Sequence, residues 1–113
     1  MSDHHWSASE KKIARRAFDA ALDRALEKVV TDFKARAAAA TTPAEVWDIG
    51  DELYKKRREI DRTFDYRYSQ IPFVFARLIL DGLLELEQLA GLSEEKIEDI
   101  GKVVAWHRKL SSD

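Results

Sequence analysis

The sequence contains no cysteine, and only 4 glycines and 2 prolines occur among its 113 residues. A chain without cysteine has no disulfides, no thiolate nucleophiles and no cysteine-ligated zinc or iron–sulfur site. Because glycine and proline interrupt regular structure, their scarcity favours long helices over many short strands. We therefore predict an all-α protein, and the length allows for one domain.

The chain also lacks an excess of charge of either sign, with 19 lysines and arginines against 21 aspartates and glutamates. A net charge of −2 creates no field that draws in nucleic acid or anionic lipid, so neither is an expected partner. No apolar run approaches the roughly 20 residues of a membrane span. The first residues do not form a basic and then apolar secretory signal. We expect a cytoplasmic protein without membrane insertion.

A long first helix is predicted from Ala8 to about Ala40. Ser7 and Glu10 form a capping box before it, and apolar residues then recur at steps of mostly three and four. These residues are Ile13, Phe18, Leu22, Leu26, Val29, Phe33 and Ala37. Such a helix would be roughly 50 Å long, whereas a domain of this size has a radius of gyration of about 13 Å. A hairpin partner or a second copy of the chain must therefore cover part of the apolar stripe.

A second helix is predicted from Pro43 to about Phe64. Thr42 is its N-cap, Pro43 is preset for the first helical position, and Glu45 completes a second capping box. The tight turn between the two helices makes them an antiparallel hairpin.

A small helical head is predicted to follow the hairpin. Ser69 is expected to cap a third helix with an almost wholly apolar surface, residues 83–89 read as a short helix, and Ser93 caps a last helix from Glu94 to about Leu110. The single domain of residues 1–113 then has a flexible N-terminus (1–7), a hairpin (8–64), a head (69–110) and a tail (111–113).

No group of residues points to catalysis. Carboxylates are abundant, but none forms a recognisable acid–base arrangement, and the sequence has neither a glycine-rich phosphate loop nor a serine with an obvious base. His4, His5 and His107 are candidate metal ligands, yet adjacent histidines at a loose terminus do not fix a coordination geometry. We expect no enzymatic activity, no metal and no cofactor.

Two segments weakly resemble nucleic-acid-binding elements. Residues 55–58 read Lys-Lys-Arg-Arg, but acidic residues lie four positions from three of these side chains and predict local ion pairs. Residues 89–100 resemble a helix-hairpin-helix turn, but Glu94 and Glu95 place carboxylates where a phosphate would bind. We interpret the first as a solvated helix face and the second as a helix corner.

Aromatic and cationic side chains of the second helix are better candidates for a protein interface. Trp47 and Tyr54 lie seven residues apart beside the apolar stripe, and Arg57 lies on the apolar side of the basic run, where a cation is partly desolvated. Phe73 and Phe75, at the start of the third helix, are first interpreted as core residues.

Four segments closely resemble the fluorescence recovery protein family of cyanobacteria. They are AEVWDIGD at 44–51, KRREID at 56–61, FDYRYS at 64–69 and FVFARL at 73–78. The likeness extends from about Trp6 to Ile100. It implies an all-helical homodimer in which the long helices form the dimer and the shorter ones form a head.

The resemblance also implies a function without bond chemistry. Family members bind photoactivated orange carotenoid protein, mainly through its C-terminal domain, and speed its return to the orange state. This ends photoprotective energy quenching at the phycobilisome.

Individual positions acquire expected roles from the same resemblance. Trp47, Asp51 and Arg57 match positions tied to activity or dimer integrity. Phe73 matches an aromatic position tied to client contact. Val46 occupies a dimer-interface position that a larger aliphatic residue usually fills.

Three features depart from the family pattern. Gly50 stands where the cyanobacterial proteins carry a histidine, Asp99 falls where some carry a lysine, and the segment containing Trp106 and His107 is longer than the usual tail. We expect Gly50 to permit close helix approach. These departures keep open an alternative, a dimeric helical adaptor that binds a different protein client in an organism without phycobilisomes.

Overall fold

The computed structural model describes residues 5–112, and the regular structure of these residues is helical. The elements in chain order are α1 (Ala8–Ala39), α2 (Pro43–Thr63), α3 (Ile71–Leu80), a 3-10 turn (Leu86–Leu89) and α4 (Glu94–Ser112). The all-α class and the hairpin of α1 and α2 are thus confirmed. No helix within the described part of the chain is long and apolar enough to cross a membrane.

The first helix begins as predicted and dominates the shape of the molecule. The Ser7 hydroxyl accepts from the Glu10 N–H at 3.1 Å, and the Glu10 carboxylate accepts from the Ser7 N–H at 3.1 Å. The 32 residues of α1 span about 48 Å. The radius of gyration is 17.0 Å, well above the ~13 Å of a compact domain of this length. The molecule is therefore elongated.

The turn of the hairpin is fixed by one carboxylate. Glu45 accepts hydrogen bonds from the N–H and hydroxyl groups of both Thr41 and Thr42, all at 3.0–3.1 Å. These bonds, led by those from Thr41, lower the pKa of Glu45. Further along, Arg36 of α1 forms an ion pair with Glu52 of α2. The two helices are thereby joined at the turn and again further along α2.

Local pairing within the basic run of α2 differs from the prediction. Lys56 pairs with Glu59, three residues later, at 3.3 Å. Glu52, which lies four positions before Lys56 and is one of the acidic residues expected to pair within the run, pairs instead with Arg36 across the hairpin. A carboxylate that faces the neighbouring helix can pair with a cation of either helix. Residue spacing along α2 predicts only the partners within α2, so the pair with α1 could not be predicted from it.

The hydrophobic core lies at one end of the molecule and includes the first half of α1. This half contributes Ala14, Ala17, Phe18 and Ala21, which are buried together with residues of α3 and α4. Small side chains allow neighbouring elements to approach α1 closely. The head is therefore built from residues on both sides of the boundary predicted after residue 64.

The ends of the head elements differ from the predicted ones. Gln70, not Ser69, is the N-cap of α3, and its side chain makes no capping bond. A turn closed by hydrogen bonds to the Arg67 carbonyl precedes α3 and moves its start. Of residues 83–89 only Leu86–Leu89 are helical. The last helix includes residues 111 and 112, which were predicted as tail.

The N-terminal segment is packed against the head, so the prediction of a flexible 1–7 is wrong for its described end. Trp6 is buried, and its ring lies 5.1 Å from that of Tyr68 between centroids. The Lys96 ammonium lies 4.8 Å from the Trp6 ring and donates to the His5 carbonyl at 2.7 Å. Residues 1–4 lie outside the described part of the chain.

A buried ion pair joins the starts of α1 and α4. Glu10 and Lys96 are each 8% exposed, and the ammonium donates to both carboxylate oxygens at 3.2 Å. Glu10 also accepts from the Ser93 N–H at 2.9 Å. Burial raises the pKa of Glu10, but the bonds from Ser7, Ser93 and Lys96 outweigh it and lower this pKa to about 2. The carboxylate is therefore ionised at any physiological pH.

Aromatic rings connect the end of α2 to the head. Phe18 of α1 makes edge-on contacts with Phe64 at 5.4 Å and with Tyr66 at 4.8 Å, and Tyr66 lies 5.5 Å from Tyr68. The Arg15 guanidinium lies 4.5 Å from the Tyr66 ring. Burial and the neighbouring Tyr68 raise the pKa of Tyr66 to about 12. The segment between α2 and α3 is thus packed on α1.

Removal of the buried cation should destabilise the head. We expect Lys96→Ala to lower the free energy of unfolding by about 3–5 kcal/mol, because it leaves Glu10 buried without its partner. Urea unfolding followed by circular dichroism measures this loss. Lys12→Ala, at an exposed position of α1, is the control and should change stability by less than about 0.5 kcal/mol. Equal stability of the two variants would contradict the assigned role of the ion pair.

Candidate protein interaction site

The outer face of α2 presents large side chains to solvent. Trp47 is 71% exposed, and Tyr54 and Val46 are also exposed. Trp47, Asp51 and Tyr54 follow one another at steps of four and three, so they lie on one side of the helix. We call the exposed residues Val46, Trp47, Gly50, Asp51, Tyr54 and Arg57 the α2 face. The structure therefore brings together all the predicted α2 site residues on a single solvent-facing surface.

The opposite side of α2 accounts for this exposure. Ile49 is the buried residue of α2, and Leu53 and Ile60 are half-buried toward α1. About three turns of helix, from Ile49 to Ile60, therefore hold α2 against its neighbour. Trp47 and Tyr54 are not buried by any element within the described residues, and exposed apolar clusters of this kind mark interaction surfaces.

A second exposed apolar stripe runs along the distal half of α1. Leu26, Val30 and Phe33 are all exposed, and their spacing of four and three places them on one side of the helix. Leu26 and Phe33 both belong to the apolar pattern predicted for the first helix. Among the described residues, however, no residue of α1 beyond Ala25 is buried. We call these three residues the α1 stripe.

The surroundings of Arg57 differ from the predicted ones. Arg57 is exposed, so its own chain does not desolvate it. The cation beside Tyr54 is that of Arg58, whose guanidinium carbon lies 5.8 Å from the ring centroid. No other element of the described chain covers the α2 face, so partial desolvation of Arg57 would have to come from a second molecule.

Gly50 lies in an open part of the α2 face. A Cβ atom built on Gly50 meets nothing within 4 Å. The glycine is therefore not required by packing within the chain, although a glycine inside a helix costs about 1 kcal/mol relative to alanine. The absence of a side chain at Gly50 would allow another molecule to approach the α2 backbone closely.

Phe73 belongs to a different surface. It lies on α3 in the head and is 59% exposed, whereas Val74 and Phe75 next to it are buried. The interpretation of Phe73 as a core residue is therefore wrong, and that of Phe75 is confirmed. Successive helical residues point about 100° apart, which explains why adjacent apolar residues of α3 have opposite environments.

The described residues hold no group of three or more histidine, cysteine, aspartate or glutamate side chains placed to bind a metal ion. Of the three candidate histidines, His4 lies outside these residues. His5 is exposed at the start of the described chain, and His107 lies beside Trp106 on α4 with ring centroids 5.4 Å apart. The structure provides no support for a metal site.

Two exposed apolar residues were missed by sequence reasoning. Trp106 and Leu110 lie four residues apart on α4 and are 60% and 56% exposed. The signal that would have found them is their i, i+4 spacing in a helix whose buried positions are Lys96, Ile100 and Val104.

The structure is that of an all-helical protein with exposed apolar faces, which are typical of interaction surfaces. A family model for the photoprotection regulator fluorescence recovery protein matches residues 6–105. The chain belongs to the fluorescence recovery protein family, whose members are regulatory and non-enzymatic. It is a photoprotection regulator by this membership.

Curated and solved relatives agree with the family match. The chain is 37% identical over 91 residues to the fluorescence recovery protein of Synechocystis sp. (strain ATCC 27184 / PCC 6803 / Kazusa), covering 80% of this chain and 84% of that protein. The structure of the Fremyella diplosiphon fluorescence recovery protein is similar with a TM-score of 0.84 at 36% identity, over 89% of this chain and 98% of that one. The Synechocystis structure is similar with a TM-score of 0.83 at 37% identity and the same coverage.

Truncation of the exposed tryptophan tests the homodimer that the family resemblance implies. We expect Trp47→Ala to raise the dimer dissociation constant by at least about tenfold, since central interface tryptophans contribute about 2 kcal/mol or more. Arg57→Ala should act in the same direction. Sedimentation equilibrium measures both. Trp106→Ala removes a similarly exposed tryptophan outside the α2 face and is the matched control. An unchanged dimer in both test variants would show that the α2 face is not the interface.

Alanine at position 50 should have opposite effects on the helix and on the dimer. We expect Gly50→Ala to stabilise the monomer by about 0.5–1 kcal/mol and to weaken dimerisation by crowding the approaching helix. Thermal unfolding of the dilute protein and sedimentation equilibrium separate the two effects. Gly101→Ala is the control, because that helical glycine also has nothing within 4 Å of a built Cβ. A tighter dimer in Gly50→Ala would contradict close approach at this glycine.

Proposed function

We propose that the protein is a homodimer that binds the C-terminal domain of photoactivated orange carotenoid protein and accelerates its return to the orange state. The observation that carries the proposal is the family match over residues 6–105, which includes the complete α2 face and the head except for the last turns of α4. By ending photoprotective quenching, the protein would act as the regulator that its family membership indicates.

Two unpartnered surfaces support the homodimer. The α1 stripe and the α2 face are both exposed in the single chain, and both belong to the long hairpin. A second copy is the simplest molecule that offers matching apolar surface, because a two-fold axis pairs each patch with its counterpart. In such a dimer Arg57 would be desolvated by the partner, and the ring of Trp47 would be removed from water.

The head supplies a separate surface for the client. Phe73 projects from α3, and the buried Val74 and Phe75 beside it hold the helix in the core. A rigidly placed, exposed aromatic residue is an effective anchor for binding, since it buries much area and loses little conformational freedom. We assign the client contact to this part of the head.

Acceleration follows from differential binding. A ligand that binds two conformations equally shifts nothing. The protein must therefore bind the compact orange-like state, or the transition state leading to it, more tightly than the photoactivated state. A preformed head can do this as a template, without any catalytic group.

The test is to measure the rate of red-to-orange recovery of photoconverted orange carotenoid protein in darkness. We expect the wild-type protein to increase this rate, and Phe73→Ala to lose most of the increase while it remains a dimer. Leu86→Ala is the matched control, since Leu86 is another exposed apolar residue of the head. Absorption spectroscopy follows recovery, and size-exclusion chromatography follows the complex.

An unchanged recovery rate at molar excess, with no complex on the column, would refute the proposal. A normal increase by Phe73→Ala would instead refute the assignment of the client contact. If the recovery rate is unchanged, the protein could still act as a dimeric adaptor for another client. Gly50 and Asp99, which depart from the family pattern, would be the residues to examine first.

A further inference from the structure

The first turn of α3, which carries Phe73, has no side-chain cap. Gln70 is the N-cap of α3, and its side chain makes no capping hydrogen bond. The turn before the helix is closed instead by the N–H groups of Gln70 and Ile71, which both donate to the Arg67 carbonyl, at 2.7 and 3.0 Å. Because a side-chain cap stabilises the start of a helix, the position of this first turn depends on what holds the preceding residues 67–70.

Tyr68 connects these residues to the N-terminal end of the chain. Its ring lies 5.1 Å from that of Trp6 between centroids, and the Lys11 ammonium lies 5.5 Å from the Tyr68 centroid. Trp6 is 7% exposed, and the Lys96 ammonium lies 4.8 Å from its ring. A row of contacts thus leads from the start of α4 through Trp6 to the turn that precedes α3.

Trp6 contributes an aromatic ring to this row and not a hydrogen-bond donor. Its indole N–H is buried and has no hydrogen-bond partner among the described residues. A buried donor without an acceptor costs free energy, whereas a pair of aromatic rings and a cation over a ring are both stabilising. Phenylalanine at this position would therefore keep an aromatic contact with Tyr68 and remove the unpaired donor.

The packing of α3 explains why its first turn matters for Phe73. Ile71 and Phe75 are fully buried, and they hold one side of the helix on the core. Phe73 lies about 200° around the axis from Ile71, so it projects from the opposite side, where it is 59% exposed. An anchor residue whose backbone is already fixed loses less conformational freedom on binding. A firmly held first turn therefore contributes to the affinity for a partner.

We propose that Trp6 is a positioning residue for client binding: packed against Lys96 and Tyr68, it fixes the start of α3 and thereby the place of Phe73. The inference rests on the proposed function, because it requires that Phe73 contacts orange carotenoid protein. Trp6 is itself buried, so it acts through Tyr68 and does not touch the client.

The first experiment measures binding of photoconverted orange carotenoid protein to Trp6→Ala and Trp6→Phe. We expect Trp6→Ala to raise the dissociation constant by at least about tenfold, with an unchanged dimer in sedimentation equilibrium, and Trp6→Phe to stay within about threefold of the wild type. Leu84→Ala is the matched control. It also removes a large side chain from the core, since Leu84 is 2% exposed, but it lies beyond the far end of α3 and should leave client binding unchanged.

Hydrogen exchange separates positioning from a general loss of stability. The Val74 N–H donates to the Gln70 carbonyl at 2.9 Å in the first turn of α3, so its exchange rate reports how often this turn opens. We expect Trp6→Ala to speed exchange of the Val74 amide by at least about tenfold relative to the Leu78 amide of the same helix. A uniform loss of stability, as expected for Leu84→Ala, leaves this ratio unchanged. An unchanged ratio in Trp6→Ala would overturn the inference.

Two exposed lysines keep the inference testable if Trp6→Ala does not fold. Lys11→Ala removes the cation beside the Tyr68 ring, and Lys12→Ala removes the same charge from the next position of α1, where both side chains are exposed. We expect the dissociation constant for the client to rise about two- to fivefold in Lys11→Ala and to stay unchanged in Lys12→Ala.

The outcomes separate this inference from the proposed function. If the wild type binds the client and Trp6→Ala binds it equally well, the inference is overturned, while the proposed function stands. The inference also fails if Leu84→Ala weakens binding as much as Trp6→Ala does, or, where Trp6→Ala does not fold, if Lys11→Ala and Lys12→Ala bind alike. If the wild type binds no client, the proposed function falls, and the inference falls with it.

Discussion

The length of α1 relative to the rest of the chain is the constraint on which the structure depends. About 48 Å of helix meets a core that covers it only as far as Ala25. The proximal half is buried by alanines and Phe18, and the distal half keeps its apolar side chains in water. Because α2 packs on α1 through Ile49, Leu53 and Ile60, its outer face adds a second apolar surface, while Leu26 and Val30 of the first stay exposed. An elongated chain that leaves this much apolar surface uncovered is suited to association with another molecule.

The junction between head and hairpin is fixed by two kinds of interaction. The Glu10–Lys96 pair joins the starts of α1 and α4, and it includes the carbonyl of His5 and the ring of Trp6. The rings of Phe64, Tyr66 and Phe18 connect the end of α2 to α1. Desolvation of the two charges offsets much of the stability gained from a buried ion pair, so the pair acts mainly by specifying which segments pack together. It determines which segments meet.

Much of the local structure could be predicted from the sequence, because it depends on residues close together in the chain. The capping boxes at Ser7 and Thr42 and the spacing of apolar residues placed α1 and α2 within one residue of their observed ends. The α2 face could also be predicted, since helical spacing determines which residues share a side. Contacts between distant segments could not be predicted. The burial of Trp6 depends on Lys96, ninety positions away, and the exposure of Phe73 depends on which side of α3 meets the core.

The uninterrupted course of α1 has a consequence for how the two ends of the molecule communicate. No glycine or proline occurs between Ala8 and Ala39, and a helix without such residues does not kink readily. The head and the hairpin share this helix, so neither can swing freely about the other. In the proposed dimer the continuous α1 helices would hold the two heads at a fixed distance from each other. Occupancy of one head would then leave the geometry of the other unchanged, and two clients would bind independently unless they touched each other.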